Sequence, residues 1–84
     1  MRKKHRRTLE ALFRRPTRSN IKWDDIESLF AALGAYIEER EGSRVYVELN
    51  DVAGHFHRPH PEKEAGKGAV DSVRRFLMEA EIEP

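Results

Sequence analysis

The feature that most constrains the fold is residues 44–57, where apolar and polar side chains alternate on both sides of a turn sequence. Apolar residues occupy every second position from Val45 to Leu49, as in a strand with one buried and one solvent-facing side. Asn50 and Asp51 then interrupt the alternation, and both residue types tolerate the positive φ of a two-residue hairpin turn. The sequence therefore predicts a β-hairpin in which two strands flank this turn.

The turn also predicts how the strands pair. Pairing of Leu49 with Val52 keeps Val45 and Phe56 together on the buried face. It groups a cation, a phenol and two imidazoles on the polar face, with Tyr46 opposite His55 and Arg44 opposite His57. Imidazoles titrate near neutral pH, so this group is a candidate chemical site, although solvated surface histidines without a role are a common alternative.

Length and composition limit the class of protein. A chain of 84 residues predicts a single small domain. Cysteine is absent, which excludes disulfides and thiolate metal sites and favours a reducing compartment. No apolar run approaches membrane-spanning length, and the basic N-terminus lacks an apolar signal core. We therefore expect a cytoplasmic protein.

Charge is unevenly distributed, although the net charge is only +1. Residues 1–22 contain nine Lys or Arg and one Glu (+8), whereas residues 23–84 contain seven Lys or Arg and fourteen Asp or Glu (−7). A basic segment on an acidic body is typical of a protein that binds a polyanion, most often nucleic acid. The alternatives are a solubilising tail and a segment that docks on its own acidic body.

Apolar periodicity predicts three helices. The first covers residues 3–15, ends at Pro16, and has a narrow apolar face that we expect to pack peripherally. The second begins at Trp23, which lies on the apolar stripe and is assigned to the core, and it ends at Gly34. The third follows Gly68.

The predicted order is a basic helix followed by α-β-β-β-α. Residues 35–40 predict the first strand, and Gly42-Ser43 turns the chain into the hairpin. We expect an α+β fold in which helices pack on one face of a three-stranded antiparallel sheet and leave the other face open. Residues 1–19 would form a basic N-terminal helix and connector, and residues 20–84 the main domain.

From about Asn20 to Ile82 the chain resembles the HicA toxins of bacterial toxin-antitoxin pairs. The resemblance rests on the Leu29-Phe30 helix ending at Gly34, the Gly42-Ser43 turn, the Arg58-Pro59-His60-Pro61 segment, and Lys67-Gly68 opening a helix with Val70, Ser72, Val73 and Leu77. It implies a double-stranded-RNA-binding-like fold. It also implies a metal-independent ribonuclease, without a cofactor, that acts on messenger RNA and is silenced by a HicB antitoxin.

One position departs from the family pattern. The catalytic histidine of the family follows a Gly-Ser pair, whereas Arg44 follows Gly42-Ser43 here. Either activity is lost, leaving a module that binds RNA or an antitoxin, or another histidine serves. His57 is predicted to lie opposite Arg44, so it is our candidate general base.

Cleavage of RNA requires a base for the 2′-OH, a cation for the phosphorane and an acid for the leaving oxygen. We assign His57 as base, His55 or His60 as second proton-transfer group, and Arg44 or Arg58 as phosphate partner. Zinc held by the three histidines, with Glu62 or Glu64 nearby, is an alternative that strand geometry disfavours.

RNA contacts are predicted along the histidine loop, the start of the last helix and the basic segment. The helix start offers free N–H groups and a favourable dipole for a phosphate, although its glycines could instead provide only a flexible entry. The acidic residues Glu38, Glu39, Glu41 and Glu48 disfavour RNA across the whole sheet. The predicted contacts are Lys3, Lys4, Arg6, Arg7, Arg58, Lys63, Lys67, Gly68 and Arg74.

Overall fold

Three helices and five strands follow one another in the computed structural model, which describes residues 1–84. The helices are α1 (Lys3–Phe13), α2 (Trp23–Ala32) and α3 (Lys67–Glu79), and the strands are β1 (Ile21–Lys22), β2 (Tyr36–Arg40), β3 (Arg44–Leu49), β4 (Val52–His57) and β5 (Glu64–Ala65). Strands β2, β3 and β4 form an antiparallel sheet in that order, and β1 pairs with β5 in a second, two-stranded sheet. The predicted α+β class is confirmed, with the small sheet as an unpredicted addition. None of the helices has the length and apolar character needed to cross a bilayer.

The β3–β4 hairpin has the predicted register. Asn50 and Asp51 adopt φ values of 50° and 67°, as a two-residue turn of this kind requires. Leu49 pairs with Val52, and at the other end of the hairpin Arg44 pairs with His57. The turn therefore fixes which polar side chains share the open face.

The core lies between the three-stranded sheet and the helices. Val45, Val47 and Phe56 face inward from the sheet and pack with α2 and α3 in one cluster of 17 buried residues. Trp23 belongs to this cluster and is only 3% exposed, which confirms its assignment to the core. No element covers the opposite face of the sheet, so its polar side chains remain open to solvent.

Gly54 allows β4 to approach α3 closely. A Cβ atom at this position would lie 2.7 Å from Cδ1 of Phe76 and 2.9 Å from Cε2 of Phe56. Such distances are too short for carbon atoms, so any larger residue would push β4 and α3 apart. The spacing between β4 and α3 therefore depends on this glycine.

The N-terminal helix is more deeply packed than its narrow apolar face predicted. It ends at Phe13, two residues earlier than expected. Leu9 is 4% exposed and Leu12 is fully buried, and both belong to the main core cluster. The prediction of peripheral packing is therefore wrong, because α1 contributes to the same core as α2 and α3.

Arg74 corrects a second prediction. Only 2% of this residue, a predicted RNA contact, is exposed, so it lies on the buried side of α3. Its guanidinium donates to Oγ1 of Thr17 at 2.7 Å, to the carbonyl oxygen of Leu12 at 3.4 Å and to Asp71 at 2.9 Å. Arg74 therefore joins α3 to the end of α1 and the following connector, and it is not a surface contact for RNA.

Candidate functional site

The open face of the β2-β3-β4 sheet carries cross-strand rows of polar side chains. The register aligns Arg40, Arg44 and His57 in one row and Glu38, Tyr46 and His55 in the next. The predicted group of Arg44, Tyr46, His55 and His57 is therefore assembled, and Arg40 is an unpredicted neighbour. A two-residue turn at Gly42-Ser43 would pair Glu41 with Arg44, so the sequence contained no direct signal for Arg40, which the three-residue connection of residues 41–43 places opposite Arg44.

The two arginines of the first row differ in their partners. Arg40 lies over the ring of Tyr46, 4.4 Å from its centroid, and its Nε donates to Glu38 at 3.1 Å. Arg44 is exposed, and its Nε donates to the carbonyl oxygen of Glu41 at 3.0 Å. Arg44 has no carboxylate partner, so it is the cation of this row that retains its charge for a phosphate.

Tyr46 is held as a hydrogen-bond donor beside His55. Its hydroxyl donates to the carboxylate of Glu48, and this bond raises the pKa of Tyr46 above its ordinary value. The Tyr46 and His55 rings lie 5.2 Å apart between centroids. A phenol with a raised pKa stays protonated at neutral pH, so Tyr46 orients its neighbours and is unsuited to act as a base.

His55 and His57 also line a groove between the edge strand β4 and the start of α3. The groove has a volume of about 240 Å³, and Gly68, Ala69 and Ser72 form its other wall. The N–H groups in the first turn of α3 have no hydrogen-bond partners within the helix, and no side chain caps them. Free N–H groups at a helix start favour an anion. The structure thus brings the two histidines and Gly68 together.

His60 lies elsewhere. It is exposed in a separate depression of about 290 Å³, together with Arg58 and Lys63. No group of three or more His, Asp or Glu side chains is placed to hold a metal ion. The three-histidine zinc alternative is therefore not assembled, and His60 does not share the groove of His55 and His57.

Arg58 is engaged in a structural ion-pair network. Its Nε and Nη2 donate to Glu27 at 2.6 and 3.0 Å, and its Nη1 lies 2.6 Å from Glu39. These bonds raise the pKa of Arg58 further, and the hydrogen bond from Arg58 is the main reason that the pKa of Glu27 is lowered. Arg58 therefore holds the end of β4 against α2 and β2 and presents little uncompensated charge to a phosphate. This role differs from the predicted one.

The predicted basic contacts of the N-terminal helix are all on the surface. Lys3, Lys4, Arg6 and Arg7 are exposed on α1. Lys4 pairs with Asp25 at 3.5 Å, and Arg7 lines a groove beside the connector. Lys63 and Lys67 are exposed as well. The positive charge of the first 22 residues is therefore carried by a folded helix and its connector.

A protein-family model matches the chain. The model described as the HicA toxin of bacterial toxin-antitoxin systems matches residues 23–82, which is most of the chain and includes α2, the three-stranded sheet and α3. No curated protein and no solved structure matches the chain significantly. The N-terminal helix lies outside the matched range. From the order of its elements and this match, the chain belongs to the HicA toxin family of bacterial toxin-antitoxin systems.

Proposed function

We propose that this HicA family member is a metal-independent ribonuclease that cleaves messenger RNA, with His57 as general base, and that a HicB-type antitoxin silences it. One observation carries the proposal: the direct pairing of Arg44 with His57. The family's catalytic histidine follows a Gly-Ser pair, so the pairing puts an imidazole beside that position. The α-β-β-β-α order of α2, β2, β3, β4 and α3 supports the double-stranded-RNA-binding-like fold that the resemblance implies.

The chemistry uses the nucleophile that RNA supplies. His57 takes the proton of a 2′-OH, and the 2′ oxygen forms a bond to the adjacent phosphorus as the bond to the 5′ oxygen breaks. His55, the nearer of the two candidates for acid, protonates the departing 5′ oxygen. The products are a 2′,3′-cyclic phosphate and a 5′-hydroxyl, so protons and bonds balance without a metal.

Charge on the phosphorane is stabilised from two sides. Arg44 lies in the same row as His57 and has no carboxylate partner. The first turn of α3 supplies N–H donors at Gly68, across the groove from the histidines. Lys67 adds a cation at the helix start. Donors fixed on a helix and a sheet need little reorganisation during the reaction.

The binding path of RNA follows from the distribution of charge. The carboxylates of the open face lie on β2 and β3, and none lies on β4: Glu38 shares a row with Tyr46 and His55, and Glu48 lies in the row beyond it. They repel phosphates, so the chain of RNA runs along the β4–α3 groove and onto the basic N-terminal segment.

A second function is favoured by one observation. Arg44 replaces the family's catalytic histidine, and its Nε is bound to the carbonyl oxygen of Glu41. If no other histidine serves as base, the protein is a module that binds RNA or its antitoxin without cleavage.

Incubation of the purified chain with messenger RNA in the presence of a chelator distinguishes the two functions. The nuclease proposal predicts cleavage that leaves 2′,3′-cyclic phosphate ends. Intact RNA that nevertheless stays bound would assign the binding function instead.

A further inference from the structure

A second groove lies between α1, the connector, β1 and Asp25 of α2, and all of its lining residues except Asp25 lie outside the range matched by the family model. Its volume is about 340 Å³. Three cationic residues from three different elements line it: Arg7 from α1, Arg18 from the connector and Lys22 from β1. The groove of His55 and His57 described above is not lined by such a set of three cations.

The polar groups of the groove are arranged as donors. Its one lining carboxylate, Asp25, is paired with Lys4 at 3.5 Å. Nε of Arg18 donates to Oδ1 of Asn20 at 3.2 Å, which leaves the terminal N–H groups of Arg18 and the amide nitrogen of Asn20 available. Forked guanidinium and amide donors bind phosphate oxygens well.

No carboxylate forms an ion pair with any of the three cations. Arg7, Arg18 and Lys22 form none of the ion pairs in the structure. Glu64 lies opposite Lys22 across the small sheet but does not pair with its side chain. The groove therefore retains a strong positive charge for an anion from outside the chain.

The groove is fixed to the rest of the molecule. Buried Arg74 binds Thr17 in the connector and the carbonyl oxygen of Leu12 at the end of α1. On the other wall, Lys22 lies in β1, which pairs with β5. The elements that carry the three cations are thus held in place before a ligand arrives, which lowers the entropic cost of binding.

The same small sheet connects this groove to the histidine groove. Strand β5 ends at Ala65, and α3 begins two residues later at Lys67. Gly68 of that helix lines the histidine groove. The start of α3 is therefore joined through Gly66 and β5 to the small sheet that carries Lys22.

We infer that the groove of Arg7, Arg18 and Lys22 binds backbone phosphates of the RNA beside the cleavage site; this inference rests on the proposed RNA substrate. Because phosphate contacts carry no base information, the groove adds affinity and orientation and leaves sequence preference unchanged. It also assigns a role to the N-terminal helix, which adds a phosphate-binding surface to the family domain.

The test compares two triple variants of the full chain. Both variants also carry His57→Ala, so that the RNA stays intact during the measurement. The groove variant is Arg7→Gln, Arg18→Gln and Lys22→Gln. The matched control, Arg2→Gln, Arg14→Gln and Arg15→Gln, removes the same charge from exposed positions of the same segment that are not among the predicted RNA contacts. Fluorescence anisotropy with a labelled single-stranded RNA of about 12 nucleotides gives the affinity at several salt concentrations. Melting temperatures verify that both variants fold.

We expect the groove variant to bind RNA about tenfold more weakly. The slope of log affinity against log salt concentration should fall in magnitude by about 2, since each phosphate contact with a single strand contributes roughly 0.7 to that slope. The control should lose less than about threefold. Equal losses in both variants would show diffuse attraction and overturn the inference. An unchanged RNA affinity of the groove variant would also overturn the inference. This holds even if the groove variant loses binding to a co-expressed HicB-type antitoxin.

The outcome is separable from that of the nuclease proposal. If the unmodified chain binds RNA without cleaving it and the groove variant still loses affinity, the phosphate groove stands and the nuclease proposal fails. If cleavage occurs and both triple variants bind RNA as before, the nuclease proposal stands and the groove has no role in RNA binding.

Discussion

Arg44 and His57 are directly paired across β3 and β4, at the end of the hairpin away from its turn. The Cα atoms of such paired residues lie about 4.5–5.5 Å apart, and their side chains project from the same face of the sheet. The substitution of arginine after Gly42-Ser43 therefore leaves an imidazole at the site, one strand away from the family's position.

Trp23→Ala should destabilise the protein by about 3 kcal/mol, as large truncations in a core do. Trp23 is 3% exposed, and its ring centroid lies 6.1 Å from that of Phe56. Trp23→Phe is the matched control, because it keeps an aromatic ring while it removes the donor to Glu27 and part of the ring volume, and it should cost less. Urea denaturation measures both. An unchanged midpoint combined with lost RNA binding would instead make Trp23 a base-stacking residue.

Arg74→Ala should cost about 2 kcal/mol, because it removes the hydrogen bonds that join α3 to the connector. Arg75→Ala provides the comparison. Arg75 also pairs with Asp71 but has a 77% exposed side chain, so its loss should change stability by no more than about 0.5 kcal/mol. Thermal unfolding of the two variants measures the difference. Equal stability with weaker RNA binding for Arg74→Ala would return Arg74 to the RNA-binding surface.

Glu27 should make the protein sensitive to acid. The hydrogen bond from Arg58 lowers the pKa of Glu27 from 4.5, so its stabilising effect is complete above that value and is lost as the pH falls through the lowered pKa. Glu27→Gln should therefore be less stable than the natural chain near neutrality and approach it in acid. Melting temperatures from about pH 7 to about pH 3 test this. Glu10→Gln, at an exposed position, should show no such convergence, and a constant difference for Glu27→Gln would contradict the assignment.

The register of the hairpin was predictable because a two-residue turn leaves only one pairing that keeps both faces consistent. Asn50 and Asp51 mark that turn in the sequence, and their φ values match it. The pairing of Arg44 with His57 follows from the turn alone. The part of the site that depends on the hairpin was therefore accessible from the sequence.

Arg74 was misplaced because a charged side chain was assumed to face solvent. Its position was informative all the same, since residues 70, 73, 74 and 77 follow the i, i+3, i+4, i+7 spacing of a buried helical face. The long arginine side chain satisfies its donors at Thr17 and Leu12 while its stem is buried. Spacing was a better guide here than residue type.

The remaining differences lie where no periodic pattern exists. Strands β1 and β5 have two residues each, too few for an alternation to be recognised. The segment from Arg58 to Lys63 is irregular, so the sequence did not reveal that Arg58 turns toward Glu27. For the same reason it did not separate His60 from His57. These positions are decided by long-range contacts.

Arg44→His restores the residue that the family has after the Gly-Ser pair. If His57 is the base, this change should keep or raise cleavage of RNA, because it adds a second imidazole and leaves His57 in place, while Lys67 and the N–H groups at Gly68 still stabilise the phosphorane. Single-turnover cleavage rates measure the effect. Cleavage by Arg44→His but not by the natural chain would identify the natural protein as a binding module.

The role of His57 as general base is tested most directly by the cleavage rate of His57→Ala, with His60→Ala as the matched control from the separate depression. We predict that His57→Ala reduces cleavage by about 10²–10⁴-fold, as removal of a general base does. RNA affinity should stay within a few fold, because a neutral base contributes little to ground-state binding, and His60→Ala should cleave at nearly the natural rate. Full cleavage by His57→Ala together with loss of cleavage in His60→Ala would contradict the assignment.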